Sequence, residues 1–219
     1  MAESQLPPTY GFLTEPEIRF LDAAAERLIP TDELGPGGKE AGVSCYIDQQ
    51  LRSSWGTHGR MYRGGPWLEG TPEQGYQSRL VPQEIYRIGI QEINAICRQR
   101  YERPFDQLSP ERQNEMLRAL EKGEVELPSM SSKMFFDLLW RNTEEGFFAD
   151  PIYGGNRNKV GWKLIGFPGV PSSAYKDHLD KHEPYRAEPV SILDIQLGKA
   201  KADPSGFAKH IMINPDGGK

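Results

Sequence analysis

Residues 147–169, FFADPIYGGNRNKVGWKLIGFPG, constrain the fold of this chain more than any other stretch because they match no regular periodicity. Aromatic residues, prolines and glycines are interleaved with charged and amide side chains, which fits neither a helical pattern nor a strand alternation. Gly154 and Gly155 permit positive φ or a close backbone approach, while Pro151 and Pro168 fix the chain direction near the two ends. We therefore predict an ordered loop here.

The composition of this loop leaves two interpretations open. Aromatic side chains that are held on a rigid frame are candidate anchors for a partner or a ligand. A well-packed loop that closes one end of a helical core would have a similar composition. Composition alone favours the second interpretation.

Apolar periodicity and capping signals predict an all-α fold, an irregular bundle of about five helices with long ordered loops and an extended C-terminal arm. In the first helix, Thr14 and Glu17 form a capping box around Pro16, and Pro30 ends the apolar repeat. Four further helices are predicted. The second helix contains Val43, Tyr46, Ile47 and Leu51, and the third runs from Pro82 to about Tyr101. The fourth follows the Ser109 cap with Pro110 and Glu111, and the fifth follows a cap at Ser131 or Ser132.

A second long loop is predicted between residues 55 and 82, where aromatic residues and arginines are set among glycines. Such side chains are enriched at the buried centre of protein interfaces, which favours a second contact surface. An ordered loop lying over the protein's own core, with solvated arginines, explains the pattern equally well. The residues concerned are Trp55, His58, Arg60, Tyr62, Arg63, Trp67, Tyr76 and Arg79.

Residues 171–219 are predicted to form an extended arm after a helical domain of residues 1–170. Prolines interrupt every potential helix here, yet several apolar side chains need cover, so the arm is expected to lie along this chain or a partner. His178 and His182 have the i,i+4 spacing of a helical ligand pair, but no third ligand is near, which favours solvated histidines. The prolines are Pro171, Pro184, Pro189 and Pro204, and the apolar residues are Tyr175, Tyr185, Ile192, Leu193, Ile195 and Leu197.

The charge and hydropathy of the chain argue against two classes of partner. The formal net charge is -5, and no lysine or arginine run gathers positive charge locally, so nucleic acid is not expected. No apolar run approaches the roughly 20 residues that span a bilayer. Any membrane association is therefore expected to come through another subunit.

The sequence contains few residues that indicate chemistry of its own. Cys45 and Cys97 could form a disulfide, although two buried thiols are favoured, and neither belongs to a haem or zinc motif. The glycine loops of nucleotide-binding proteins and the G-x-S-x-G elbow are absent. Glu144, Glu145 and Asp150 could do acid–base work, but a helix end and a turn explain them better.

Residues 145–169, EGFFADPIYGGNRNKVGWKLIGFPG, closely resemble the signature of one family, and we call them the signature segment. That family is the small subunit, known as subunit 3 or gamma, of gluconate 2-dehydrogenase-type complexes. Weaker similarity at the opening Phe-Leu-Thr helix and at the start of the fourth helix extends the resemblance to about residues 12–170.

The resemblance implies that this chain is a non-catalytic subunit with no cofactor of its own. Its family partners are a large GMC-type flavoprotein subunit that carries FAD and oxidises a sugar or sugar acid, and usually a membrane-attached multihaem cytochrome c. The expected role is to bind and stabilise the flavoprotein and to help it mature and be exported. On this interpretation the contact residues are Phe147, Phe148, Asp150, Tyr153, Asn156, Arg157, Trp162 and Phe167, with Trp55 and Trp67 from the second loop.

The resemblance also implies a periplasmic complex, although the first residues carry no recognisable signal peptide. A signal could have been trimmed, or this member could stay inside or follow another route. Two alternatives to the accessory subunit remain. One is a stand-alone carbohydrate-binding protein or enzyme that uses Asn156, Arg157, Asn158 and Trp162, and the other is an assembly factor that leaves the mature complex.

Overall fold

The computed structural model describes residues 9–59, 61–68, 70, 71, 74, 77–170, 180, 181 and 185–200. The predicted all-α class is confirmed, because the described residues form helices and turns with only isolated β-bridges. The helices are α1 (Glu15–Leu28), α2 (Val43–Arg52), α3 (Pro82–Tyr101), α4 (Pro110–Glu121), α5 (Ser132–Phe148), α6 (Val160–Ile165) and α7 (Ile192–Gln196).

The starts of α1, α3, α4 and α5 follow local signals in the sequence. At α1 the Thr14 backbone N–H donates to the Glu17 carboxylate over 2.7 Å, which closes the predicted capping box. Ser109 caps α4, and Ser131 caps α5 by accepting a hydrogen bond from the Met134 N–H. These contacts satisfy backbone donors that a helix cannot pair internally.

The core forms around α5, which contacts α1, α2, α3, α4 and α6. Aromatic rings fill its centre: Phe20 from α1 lies 4.7 Å from Phe105 and 6.3 Å from Phe135, measured between ring centroids. Tyr86 from α3 contacts the same Phe135 ring at 6.0 Å. Because α5 is packed against these helices, the signature segment at its carboxyl end starts from a fixed position.

The chain before α1 is tied to α2 by a buried carboxylate. Asp48 is fully buried and accepts hydrogen bonds from the backbone N–H groups of Gly11, Phe12 and Leu13, at 2.8 to 2.9 Å. Three such donors compensate for taking the charge out of water. The entry of α1 is therefore fixed on the helix that also borders the signature segment.

Two short helices correct the prediction. Residues 147–169 were expected to be a loop throughout, yet Phe147 and Phe148 complete α5, and α6 occupies Val160–Ile165. α7 lies in the arm, where prolines were expected to exclude every helix. α6 is six residues long, too short to show periodicity, and α7 is set by a capping box of Ser191 and Asp194.

The second long loop is confirmed as lacking a regular helix in its described part. Within the described residues, no helix combines the length and apolarity that crossing a bilayer requires. Several residues named in the sequence analysis lie outside the described residues, namely Arg60, Tyr76, Pro171, Tyr175, His178, His182, Pro184 and Pro204.

Candidate functional site

Asn156 is the centre of the signature segment and has no exposed surface. Its side chain donates to the carbonyl of Ala149 and accepts from the N–H of Gly161, both over 2.9 Å. Its backbone N–H donates to the carbonyl of Gly146, also over 2.9 Å. One buried amide therefore joins the end of α5 to the start of α6, and its positive φ of 45° is a conformation that asparagine tolerates.

Two glycines allow the segment to lie directly on the backbone of α5. A Cβ atom on Gly155 would lie 2.1 Å from the carbonyl oxygen of Gly146, and one on Gly161 would lie 2.2 Å from that of Phe147. Any side chain at these positions would force the two backbones apart. The segment is thus packed against the helix and not suspended above it.

Trp162 fixes α6 to the end of α5 through its own side chain. It is 5% exposed, and its indole Nε1 donates to the carbonyl of Phe148 over 2.7 Å. Its ring meets Phe167 edge to face, with 5.2 Å between centroids. The hydrogen bond satisfies a carbonyl that the end of α5 leaves without an intrahelical partner.

Arg157 anchors the segment to the turn before α2. Its N–H donates to the carbonyl of Ala41 over 3.0 Å, and its guanidinium packs where a Cβ of Gly42 would stand. Burial raises the pKa of nearby Asp22, while a hydrogen bond from Ser44 and the charges of Lys39 and Arg157 oppose that rise. The buried Nη2 of Arg157 finds no hydrogen-bond partner among the described residues.

The described part of the arm lies on the signature segment. Val170 donates its N–H to the carbonyl of Val190, and Val190 donates to Pro168, in a short parallel bridge. Asp150 accepts the N–H of Ile192 over 2.8 Å. The arm was expected to lie along this chain or a partner, and at these residues it contacts this chain.

An ion pair between Lys159 and Asp194 reinforces this contact, with 2.9 Å between Nζ and Oδ2. Burial alone would raise the pKa of Asp194. The hydrogen bonds from Lys159 and Ser191, together with the lysine charge, outweigh burial and hold that pKa below its ordinary value. The arm is therefore docked by charge as well as by backbone bonds.

Several large apolar side chains of this region remain exposed to solvent. Phe148 is 39% exposed, Phe167 40% and Tyr153 50%. Exposed apolar groups on adjoining elements are typical of an interaction surface. We call the following set the apolar surface: Phe148, Tyr153, Leu164, Ile165, Phe167, Ile192, Ile195 and Leu197.

A shallow groove of about 410 Å³ lies between α2 and the end of α5. Glu145 Oε2 accepts hydrogen bonds from Asn142 Nδ2 at 2.9 Å and from Tyr46 Oη at 3.3 Å. Burial, followed by the charge and hydrogen bond of Glu145, raises the pKa of Tyr46, so that its hydroxyl stays a donor. The groove is lined by Tyr46, Gln50, Glu145, Phe148, Ala149, Asp150 and Tyr153.

A family model described as gluconate 2-dehydrogenase subunit 3 matches residues 15–169, which run from the start of α1 to the end of the signature segment. The chain belongs to that family. The match covers more than two thirds of the chain and all of α1 to α6. Searches of curated proteins and of solved structures returned no match.

The structure divides the ten contact residues predicted from the family resemblance into two kinds. Phe147, Asn156 and Trp162 are buried, at 2%, 0% and 5% exposed, so their side chains form the frame of the site. Whether any of the ten binds a partner stays a prediction. The side chains that reach the surface fully or in part are Phe148, Asp150, Tyr153, Arg157, Phe167, Trp55 and Trp67.

Sequence reasoning missed the part of the site that other elements contribute. Tyr46 and Gln50 come from α2, and nothing in their local pattern indicates a groove. Ile192 and Ile195 were expected to need cover but were not placed beside the family signature. The Ser191 and Asp194 capping box was the one local signal that could have placed α7.

The described residues offer little chemistry of their own. Among them, no group of three histidine, cysteine, aspartate or glutamate side chains could hold a metal ion. Cys45 and Cys97 are both buried and unpaired, which supports the interpretation as separate thiols. Burial raises the pKa of the Cys97 thiol to about 11, so at neutral pH it is not a reactive thiolate.

Proposed function

We propose that this member of the gluconate 2-dehydrogenase subunit 3 family is the non-catalytic small subunit of an FAD-dependent sugar or sugar-acid dehydrogenase complex. Its role is to bind and stabilise the GMC-type flavoprotein subunit and to help it mature and be exported. Hydride transfer and FAD belong to the flavoprotein, and haem belongs to a membrane-attached cytochrome c where one is present. The complex works in the periplasm.

The observation that carries the proposal is the apolar surface on a rigid frame. Leu164, Ile165 and Leu197 are exposed by 47%, 60% and 50%. Leu164 and Ile165 stand on α6, which Asn156 and Trp162 fix to the end of α5. Leu197 caps the end of α7, which the Lys159–Asp194 ion pair and the hydrogen bond from the Ile192 N–H to Asp150 fix to the signature segment. Apolar side chains held in this way lose little conformational entropy on binding, which suits a permanent subunit interface.

Stabilisation of the flavoprotein follows from mass action. A partner that binds only the folded state raises its stability by RT ln(1 + [L]/Kd), about 2.7 kcal/mol when the partner is present at 100 times Kd. A flavoprotein stabilised in this way retains its flavin and resists aggregation. The small subunit needs no active site for this role.

The competing hypothesis is a carbohydrate-binding protein or enzyme that acts alone through Asn156, Arg157, Asn158 and Trp162. The amide of Asn156 and the indole N–H of Trp162 already make buried hydrogen bonds within the chain. A sugar would have to displace these contacts in order to use them. The accessory role needs no such rearrangement.

The test is co-expression of this chain with the co-encoded flavoprotein, with a tag on this chain only. We expect a yellow, active complex to co-purify. We also expect the flavoprotein expressed alone to be less soluble and less fully loaded with flavin. A colourless chain that binds or oxidises gluconate, glucose or fructose by itself would overturn the proposal.

A further inference from the structure

Glu145 is an ionisable group in the groove that makes no ion pair with a described residue. The ion pairs among the described residues join other groups, and none includes Glu145. Only Oε2 is engaged, by the neutral donors of Asn142 and Tyr46. The carboxylate is therefore held in a fixed position by neutral donors and makes no ion pair among the described residues.

The fixed position of Glu145 is the end of a chain of hydrogen bonds that starts in the core. Tyr86 Oη donates to Asn142 Oδ1 over 2.7 Å, which turns the Asn142 amide so that its nitrogen faces Glu145. Tyr86 and Asn142 are both buried. A surface carboxylate with buried support of this kind is preorganised for a contact.

The walls of the groove suit a long cationic side chain. Phe148 and Tyr153 line it and are 39% and 50% exposed, so their ring surfaces are open to solvent. Asp150 adds negative charge, and both of its oxygens already accept backbone N–H groups. Aromatic faces beside a carboxylate complement a lysine or arginine, whose stem packs on the rings while its head meets the charge.

We propose that this groove receives a lysine or arginine side chain of the flavoprotein subunit, with its charged head on Glu145 and its stem against Phe148 and Tyr153. The inference rests on the proposed function, since the flavoprotein supplies the cation. The groove then fixes the position of the two subunits relative to each other, while the apolar surface supplies most of the buried area of the interface.

The test compares the affinity of purified variants of this chain for the flavoprotein. Glu145→Gln keeps the shape and the hydrogen-bond acceptor but removes the charge, and we expect Kd to rise about 30-fold. Glu145→Lys should weaken binding further, because two cations would then face each other. Glu144→Gln is the matched control: it makes the same change in net charge on an adjacent exposed residue outside the groove, and Kd should stay within about threefold.

A second variant keeps the test decisive if Glu145→Gln does not fold. Tyr153→Ala removes one wall at a half-exposed position, and we expect Kd to rise about tenfold with the free chain still folded. Raising the salt concentration should weaken wild-type binding more than it weakens Glu145→Gln, because only the former has the ion pair.

The outcomes separate this inference from the proposed function. If the wild-type complex forms and Glu145→Gln binds like Glu144→Gln, or if Glu145→Lys binds tighter than Glu145→Gln, the inference fails and the accessory role stands. If Glu145→Gln lowers the stability of the free chain and leaves Kd unchanged, the carboxylate serves the fold of this chain through its contacts with Asn142 and Tyr46, and the inference also fails. If wild-type chain and flavoprotein do not associate, both are overturned.

Discussion

The two long aromatic and glycine-rich regions of this protein, the signature segment and residues 55–81, have similar compositions but differ in how far their large side chains are buried. In the signature segment, Asn156 and Trp162 are buried and their polar groups make hydrogen bonds to the backbone of the neighbouring helix. In the described part of residues 55–81, Tyr62 is 90% exposed and Leu68 71%.

The difference lies in what each region contacts. The signature segment meets elements far away in the chain, such as Ala41 before α2 and Val190 in the arm. In the second loop, Trp55 and Leu80 at its two ends pack against the core, whereas the Arg63 guanidinium between them contacts residues of the loop itself, the Trp67 ring at 5.8 Å and the carbonyl of Arg79. Aromatic and glycine content therefore does not specify which side chains are buried, whereas an amide or a glycine at a backbone-to-backbone contact does.

The largest effect is expected from Asn156→Ala, which breaks the ordered region at its centre. It leaves the partly buried Ala149 carbonyl and the buried Gly161 N–H without their side-chain partner and places alanine at a φ of 45°. We expect the free energy of unfolding to fall by about 3 kcal/mol, measured by urea denaturation with tryptophan fluorescence.

Asn156→Gly separates the two causes in that prediction. Glycine accepts the positive φ without strain, so the remaining loss of about 2 kcal/mol reports the lost hydrogen bonds together with the added freedom of glycine in the unfolded chain. If Asn156→Ala unfolds at the same urea concentration as the wild type, this amide does not hold the segment. The explanation given for the difference between the two regions is then wrong.

The second largest loss of stability is expected at a glycine of the signature segment, and a glycine of the second loop provides the comparison. Gly155→Ala would place a Cβ 2.1 Å from a backbone oxygen, and we expect a loss of about 2 kcal/mol by the same denaturation assay. At Gly59 in the second loop the nearest atom would be 3.4 Å away, so Gly59→Ala should change stability by less than about 0.5 kcal/mol. Equal losses at both positions would show that the second loop is packed as tightly as the signature segment.

A smaller effect concerns the docking of the arm on the signature segment. The pKa of Asp194 is lower in the folded protein than its ordinary value of 3.8, so its contribution to stability is present above that pH and is lost as pH falls through the folded value. Asp194→Asn should cost less than about 1 kcal/mol at neutral pH, because the ion pair is partly solvated.

The measurement is the unfolding free energy of wild type and Asp194→Asn between about pH 5 and about pH 2, where the gap between them should close. Lys159→Met should remove most of the same contribution, and the double variant should lose little more than either single one. A gap that persists unchanged at the lowest pH would place the contribution of Asp194 elsewhere than in its charge.

The smallest effect on stability is expected in the second loop. Tyr62→Ala and Leu68→Ala truncate exposed side chains, so the unfolding free energy should change by less than about 0.5 kcal/mol. If this loop is a second contact surface, the same variants will weaken binding to the flavoprotein. Variants that lower stability instead would favour the interpretation as a loop covering the core.

Five helices could be predicted from the sequence because their signals are local. A cap such as Thr14 with Glu17, a proline such as Pro82 at a helix start, or an apolar repeat acts between residues within about four positions of each other. α6 lacked such a signal because it is short. The signature segment could likewise be located, because its residues are contiguous.

Only the tertiary structure decided which signature residues face outward. Asn156 and Trp162 looked like surface candidates, but the close approach of Gly155 and Gly161 to α5 buries them. The groove around Glu145 depends on α2 and α5, which are far apart in sequence. Burial depends on pairs of distant residues meeting in space, and the local sequence pattern does not contain that information.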